Sequence, residues 1–263
     1  MTARLESAGR LFVEDRGAVR VLTVSNPARR NALDFGLLRQ LRAALVGSVD
    51  DGVRCLVLRG EGDKAFCAGM DLNAVHGSHA GGAQTLPAIE EMMQAVEAAP
   101  PVIAYLNGVA YGAGCELACA CDLRVARPGI SLCVTPTKLG LVYSAEGIAR
   151  VAAVVGLARA RRMFLTAQPV DARTALEWGL VDELLPARKA WTLALALAQT
   201  IAENAPLALM GTKRALAMLG RPRLERRERE EILWLQKTTF ASDDAREAMD
   251  AFVHRRKPRF QGR

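Results

Sequence analysis

One carboxylate in this chain sits where only chemistry or a dedicated partner would keep it. Glu116 is followed by Leu117, Ala118, Cys119 and Ala120, and lies just after the small-residue run Gly112-Ala113-Gly114. A charge in such apolar surroundings is costly unless it is paired or at times protonated. The small residues before it read as a turn opening a helix through Ala120. The unpaired N–H groups of a helix start stabilise an anion or a developing oxyanion. A carboxyl next to such donors suits proton transfer beside a thioester carbonyl. The competing reading is a structural glutamate bonded to backbone or to a nearby arginine.

A second segment has complementary features. Lys64-Ala65-Phe66-Cys67-Ala68-Gly69-Met70-Asp71-Leu72 directly follows a buried strand. Ala68 and Gly69 are small enough for a ligand to approach the backbone, and Asp71 can cap the next turn of chain. Alone it also reads as an ordinary strand-to-helix turn. Together the two segments offer two backbone N–H donors beside small residues, and two donors converging on one carbonyl oxygen make an oxyanion hole. A metal site is not expected. Cys115, Cys119, Cys121 and Cys133 have neither zinc-ribbon nor CxxC spacing. They read, with the other two cysteines, as reduced and buried small apolar residues.

The elements that must hold these segments alternate. Leu11–Glu14 and Ala18–Val24 read as a hairpin, Asp34 as the cap of a helix carrying Leu37, Leu38, Leu41 and Leu45, and Val53–Leu58 as a buried strand. Asn73–Pro87, rich in Gly, His, Ser and Ala, reads as a mobile loop. A helix over Ile89–Ala98 and strands over Val102–Leu106 and Asp122–Ala126 come next. Beyond Ala145 six helices are predicted: Ala158–Leu165, Asp171–Trp178, Ala187–Ala202, Pro206–Leu219, Leu224–Thr239 and Ser242–Arg255. Arg221–Glu231 reads as a solvated face with i,i+4 ion pairs. This is an α/β fold, with an α/β part over residues 1–195 and a helical region over 196–263.

The chain has 263 residues, 51% hydrophobic and 24% charged, which excludes a disordered polymer and a small disulfide-stapled scaffold. The absence of an internal repeat argues against a solenoid or propeller. No run of about 18 apolar residues predicts a membrane span. Met1–Arg10 has no apolar core of a signal peptide, so the cytoplasm is the expected compartment. The net charge of +7 suits an anionic partner. With 5% aromatic residues and no nucleic-acid motif, a phosphorylated small molecule fits better than nucleic acid.

Ordered motifs across nearly the whole chain resemble the crotonase (enoyl-CoA hydratase/isomerase) superfamily. They are Asn26-Pro27-Ala28-Arg29-Arg30-Asn31-Ala32-Leu33, Phe66 to Leu72, Asn107 to Leu117, Cys121-Asp122-Leu123-Arg124-Val125-Ala126, Lys138-Leu139-Gly140-Leu141 and Phe252 to Phe260. The resemblance implies a spiral of ββα units with a helical C-terminal region used for trimerisation, often as a dimer of trimers. It implies an acyl-CoA substrate, with no permanently bound cofactor and coenzyme A as part of the substrate. By position it assigns the oxyanion-hole N–H groups to Ala68 and Ala113. Glu116 matches the first catalytic glutamate of hydratases. Arg29, Arg30, Ala32, Lys64, Gly69, Met70, Asp71, Leu72, Tyr111, Gly112, Pro136, Phe252 and Arg255 are the expected CoA and substrate contacts.

The sequence departs from the family at the second glutamate, whose place holds Pro136. The next carboxylate along the chain, Glu146, reads as a helix-start residue or a replacement. Tyr143, with Thr135-Pro136 before Leu139-Gly140 and Ser144 after, resembles the methylmalonyl-CoA decarboxylase branch. There a tyrosine helps position the substrate carboxylate; a pocket wall is the plainer role. The expected function is therefore hydratase or isomerase chemistry on an enoyl-CoA. Decarboxylation of a methylmalonyl-CoA-like thioester is the first alternative. A non-catalytic CoA- or RNA-binding homologue is the alternative of another class.

Overall fold

The computed structural model describes residues 9–76, 81–220 and 226–259. Strands β1 (Arg10–Arg16) and β2 (Val19–Ser25) form the expected antiparallel hairpin around Gly17. Asn26-Pro27 ends β2, and a 3-10 turn over Pro27–Arg29 leads to helix α1 (Phe35–Asp50). Asp34 caps α1 by accepting the Leu37 N–H at 2.7 Å, and Leu37, Leu38, Leu41 and Leu45 are buried along one face. Burying each such leucine contributes about 1.5–3 kcal/mol. The chain then forms β3 (Cys55–Gly60), β4 (Ala65–Cys67), α2 (Leu72–His76), α3 (Gly81–Ala98), β5 (Val102–Leu106), β6 (Val109–Tyr111), α4 (Ala113–Ala120), β7 (Leu123–Ala126) and β8 (Ser131–Cys133). After a second 3-10 turn, Pro136–Leu139, come α5 (Ala145–Val155), α6 (Leu157–Thr166), β9 (Val170–Asp171), α7 (Ala172–Glu177) and β10 (Glu183–Leu184). Four helices complete the described chain: α8 (Ala187–Ala202), α9 (Pro206–Gly220), α10 (Arg226–Phe240) and α11 (Asp243–Val253).

The strands make two mixed sheets. One has the order β1-β2-β3-β5-β7-β10, parallel beyond the hairpin; the other has β4-β6-β8-β9, with β9 antiparallel to β8. The central strands β2, β3, β5 and β7 of the six-stranded sheet are covered on both faces, which is why β3 and β5 read as continuous apolar runs, while edge strand β1 is largely exposed. Leu22, Leu56, Leu58, Ala104 and Leu106 point into the main core with α1, α3 and α4. Val21, Cys55, Val57, Ile103 and Tyr105 point the other way, against Ala190, Ala194, Ala198 and Ala202 of α8. That alanine stripe at i,i+4 spacing lets the helix lie close to the sheet. The boundary between residues 195 and 196 thus falls inside one helix packed on the α/β core.

The loop expected over Asn73–Pro87 is not one where it is described. Residues 77–80 lie outside the described chain, but Leu72–His76 and Gly81–Pro87 are helical, and α3 begins eight residues before the expected Ile89. Gly81, Gly82 and Pro87 are poor helix residues. Packing overrides them: Thr85, Met92, Met93 and Val96 are buried in the same helix. The predicted i,i+4 pairing near Arg221–Glu231 appears as Arg226–Glu230 at 2.9 Å, with residues 221–225 outside the described chain. Among the described residues no single helix is long and apolar enough to cross a membrane.

Candidate active site

The two small-residue segments meet where the sheets' strand ends face α4. Gly69 has φ +100°, and a Cβ built on it would lie 2.8 Å from the Tyr111 carbonyl oxygen and 3.5 Å from the Ala113 nitrogen. Glycine is what lets the turn after β4 press against the start of α4. The Leu33 N–H donates to Gly69 O and the Asp71 N–H to Leu33 O, each at 2.8 Å, which fixes the turn from the other side.

This geometry corrects one expected donor. The Ala68 N–H is bonded to the Arg30 carbonyl at 3.1 Å, so it cannot also serve a ligand oxygen. The Met70 N–H, two residues on, makes no hydrogen bond among the described residues, and neither does the Ala113 N–H at the first position of α4. The pair of open donors is therefore Met70 and Ala113. Sequence position alone missed this because it does not reveal which amide in the turn Arg30 consumes.

Both segments line a cavity of about 830 Å³. Of the expected contacts, Arg29, Arg30, Ala32, Ala68, Gly69, Met70, Asp71, Leu72, Tyr111, Gly112, Ala113, Glu116, Pro136, Tyr143, Phe252 and Arg255 all line it. Lys64 does not. It is exposed just before β4, and its carbonyl accepts the Val109 N–H, so its place is the sheet rather than the cavity. Asp71 caps α2 through the Asn73 N–H and accepts from Arg29 at 3.0 Å. The Tyr111 hydroxyl is bonded to Ser131 at 3.0 Å. Glu146 lies in the first turn of α5, away from the cavity lining. No cluster of metal-ligating residues occurs among the described residues, and all six cysteines are free and buried.

The buried carboxylate has two partners. Glu116 is 1% exposed. Its Oε2 accepts the Tyr143 hydroxyl at 2.5 Å, and its Oε1 accepts from Arg150 at 2.8 Å. Tyr143 reaches in from the loop before α5, held by an edge-tilted contact with Phe164 at 5.6 Å. Gly147 makes room for that ring, since a Cβ there would lie 2.4 Å from its Cε1. Burial pushes the Glu116 carboxyl up, while Arg150 and Tyr143 pull it back down. Burial and the adjacent Glu116 push the Tyr143 phenol well above its ordinary value, so it stays protonated and donates.

Arg150 and Glu90 are the residues that sequence reasoning missed. Arg150 donates to Glu90 through two nitrogens at 2.7 Å each, to Glu97 through Nε at 2.7 Å, and to Glu116. Glu90 also lines the cavity. The available signal was Glu90 and Glu97, seven residues apart on one helix, the spacing that places them on one face. Their cation lies 60 positions away from Glu90, beyond the reach of local patterning.

Comparison with known proteins is consistent across the chain. The enoyl-CoA hydratase/isomerase family matches residues 14–263. A probable enoyl-CoA hydratase of Mycobacterium bovis is 36% identical over 248 residues, 93% of this chain and 96% of that protein. The 2,3-dehydroadipyl-CoA hydratase of Escherichia coli is 34% identical over 259 residues, 96% of this chain and 99% of that one. Among solved structures, methylmalonyl-CoA decarboxylase in complex with 2-nitronate-propionyl-CoA superposes with a TM-score of 0.89 at 27% identity, covering 96% of this chain and 98% of that one. Carnitinyl-CoA hydratase from Mycobacterium avium gives 0.83 at 33% identity, covering 96% and 98%.

Proposed function

The chain belongs to the enoyl-CoA hydratase/isomerase family and has the crotonase fold, and from that premise we propose that it hydrates or isomerises an enoyl-CoA thioester. The carrying observation is the convergence, in one cavity, of the open Met70 and Ala113 N–H groups with the Tyr143–Glu116 pair. A thioester oxygen placed between the two N–H groups gains most when it becomes an enolate oxygen, which is differential stabilisation of the transition state. The acyl carbons then lie against Tyr143 and Glu116.

Glu116 is the proton acceptor, and the Arg150 guanidinium favours its ionised form. In hydration, water oxygen bonds to the β carbon, Glu116 takes a water proton, and a proton is delivered to the α carbon as the enolate collapses. In isomerisation Glu116 removes a proton from one acyl carbon and returns it to another. With Pro136 at the usual second-glutamate place, both transfers pass through the one Tyr143–Glu116 unit.

The exposed Arg30, Lys138 and Arg255 ring the cavity with Phe252 and suit the phosphates and adenine of CoA. Exposed Leu207, Leu216 and Trp234 on α9 and α10 suit a homotrimer or dimer of trimers formed through the helical region. The cytoplasm is the compartment that goes with this reading.

Decarboxylation of a methylmalonyl-like thioester is the second reading. It is favoured by Pro136, because the reaction needs an oxyanion hole and a proton source but no second carboxylate, and by the similarity to methylmalonyl-CoA decarboxylase.

The test is mass spectrometry of crotonyl-CoA, longer enoyl-CoAs and methylmalonyl-CoA after incubation in heavy water. Gain of water or double-bond migration with deuterium supports the first reading. Loss of carbon dioxide from methylmalonyl-CoA replaces it with the second. No change in any species, with salt-sensitive RNA binding that CoA does not displace, would leave a non-catalytic binder.

A further inference from the structure

Among the described residues, Arg150 is the cation paired with both cavity-lining glutamates, Glu90 and Glu116, and it does not itself line the cavity. Of a guanidinium's five N–H donors, at least four are taken, by Glu90, Glu97 and Glu116. Its side chain is 8% exposed. The groups that face the cavity in front of it are the two carboxylates Glu90 and Glu116 and the Tyr143 hydroxyl. The cations that do line the cavity are Arg29, held by Asp71, and the exposed Arg30, Lys138 and Arg255. The inner wall is thus anionic, with its positive charge turned inward and already paired.

We propose that Glu90 is a specificity-determining residue: by chelating Arg150 it occupies the place a substrate carboxylate would take, and so restricts the pocket to acyl groups that carry no carboxylate. Bidentate Arg–carboxylate pairing is the geometry a carboxylated acyl chain would need. Here a side chain of the protein fills it. A substrate carboxylate that reaches Glu90 and Glu116 finds the Arg150 guanidinium already paired, and like charges at close range exclude such a ligand. The inference rests on the acyl-CoA reading above and narrows its substrate to neutral acyl thioesters.

The experiment is calorimetric titration of the full chain with butyryl-CoA and succinyl-CoA, which differ by a terminal carboxylate. The wild type should bind butyryl-CoA at least about tenfold more tightly. Glu90→Gln should narrow that ratio by about tenfold, chiefly by tightening succinyl-CoA. Glu97→Gln, which changes the side of Arg150 away from the cavity lining, should leave the ratio unchanged. Equal binding by the wild type overturns the proposal whatever the variants do, so a poorly folding Glu90→Gln does not shield it. An unchanged ratio in a folded Glu90→Gln also overturns it. If neither thioester binds the wild type, the acyl-CoA reading falls and this inference with it; equal binding of both leaves that reading standing.

Discussion

The Tyr143 hydroxyl donates to Glu116 Oε2 at 2.5 Å, across 27 positions of sequence. The phenol's proton is therefore directed at the carboxylate, and in the proposed reaction the pair acts as one acid–base unit. Replacing Glu116 with Gln should lower turnover by about 10²–10⁴-fold, the range of a lost general acid or base, while CoA binding persists. Tyr143→Phe should lower kcat on a crotonyl substrate in the same direction with KM nearly unchanged. Steady-state kinetics with a CoA-affinity measurement checks both, and unchanged turnover in Glu116→Gln removes Glu116 from the mechanism.

The pH profile is set by the charges around Glu116. It accepts a proton only when ionised, and burial raises its pKa above the ordinary carboxylate range. The acid limb of kcat/KM should therefore lie above that range. Arg150 from α5 and the Tyr143 hydroxyl favour the anion, while Glu90 from α3 opposes it. Removing the positive charge in Arg150→Gln penalises the anion, so the limb should move to higher pH by about one unit or more. A limb that stays in place would mean another group titrates.

Gly147 tests whether Tyr143 must sit where it does. An alanine there brings its Cβ within 2.4 Å of the Tyr143 ring and 2.8 Å of Ser144 Oγ. Gly147→Ala should lower kcat as Tyr143→Phe does. Gly211→Ala on exposed α9, where a Cβ meets nothing within 4 Å, should leave kcat unchanged and raise stability by up to about 1 kcal/mol. Kinetics and thermal melts of the two variants separate the effects.

Arg255 is exposed at the cavity rim. Arg255→Ala should raise KM for a CoA thioester several-fold, leave kcat close to wild type and weaken the salt dependence of kcat/KM. A fall in kcat alone would place Arg255 elsewhere in the reaction.

The cysteines give a direct check on burial. All six are free and buried, and the thiols of Cys55, Cys67 and Cys121 are pushed up to about 12. Thiolate, the reactive form, is scarce at neutral pH. Ellman's reagent should label the native protein slowly and all six positions once it is denatured. Rapid labelling of a native cysteine would show that its environment opens.

What the sequence disclosed was local. Asp34 and its leucines announce α1, the apolar runs announce β3 and β5, and Gly112-Ala113-Gly114 announces the start of α4, because in each the signal lies within a few turns of the chain. The three-residue strands β4, β6 and β8 have no such signal; each is too short to show a period. Helix α3 is hidden because Gly81, Gly82 and Pro87 speak against it and only burial of Met92, Met93 and Val96 outweighs them. Glu116 was legible as an anomaly. Its answer, Arg150 shared with Glu90 and Glu97, joins α3, α4 and α5 and exists only once they pack.

Helix α11 places Met249, Phe252 and Val253 in the wall of the same cavity that the turn after β4 begins, and packs over the 3-10 turn at Gly140, against which Asp244 and Ala245 lie. During synthesis Met70, Ala113 and Glu116 leave the ribosome long before this wall does. A nascent chain paused before α11 would hold Met70, Ala113 and Glu116 around a trough that lacks one of the cavity's walls. The complete cavity is therefore a late product of translation, and a premature stop ahead of residue 243 would leave Met70, Ala113 and Glu116 present with one of the cavity's walls missing.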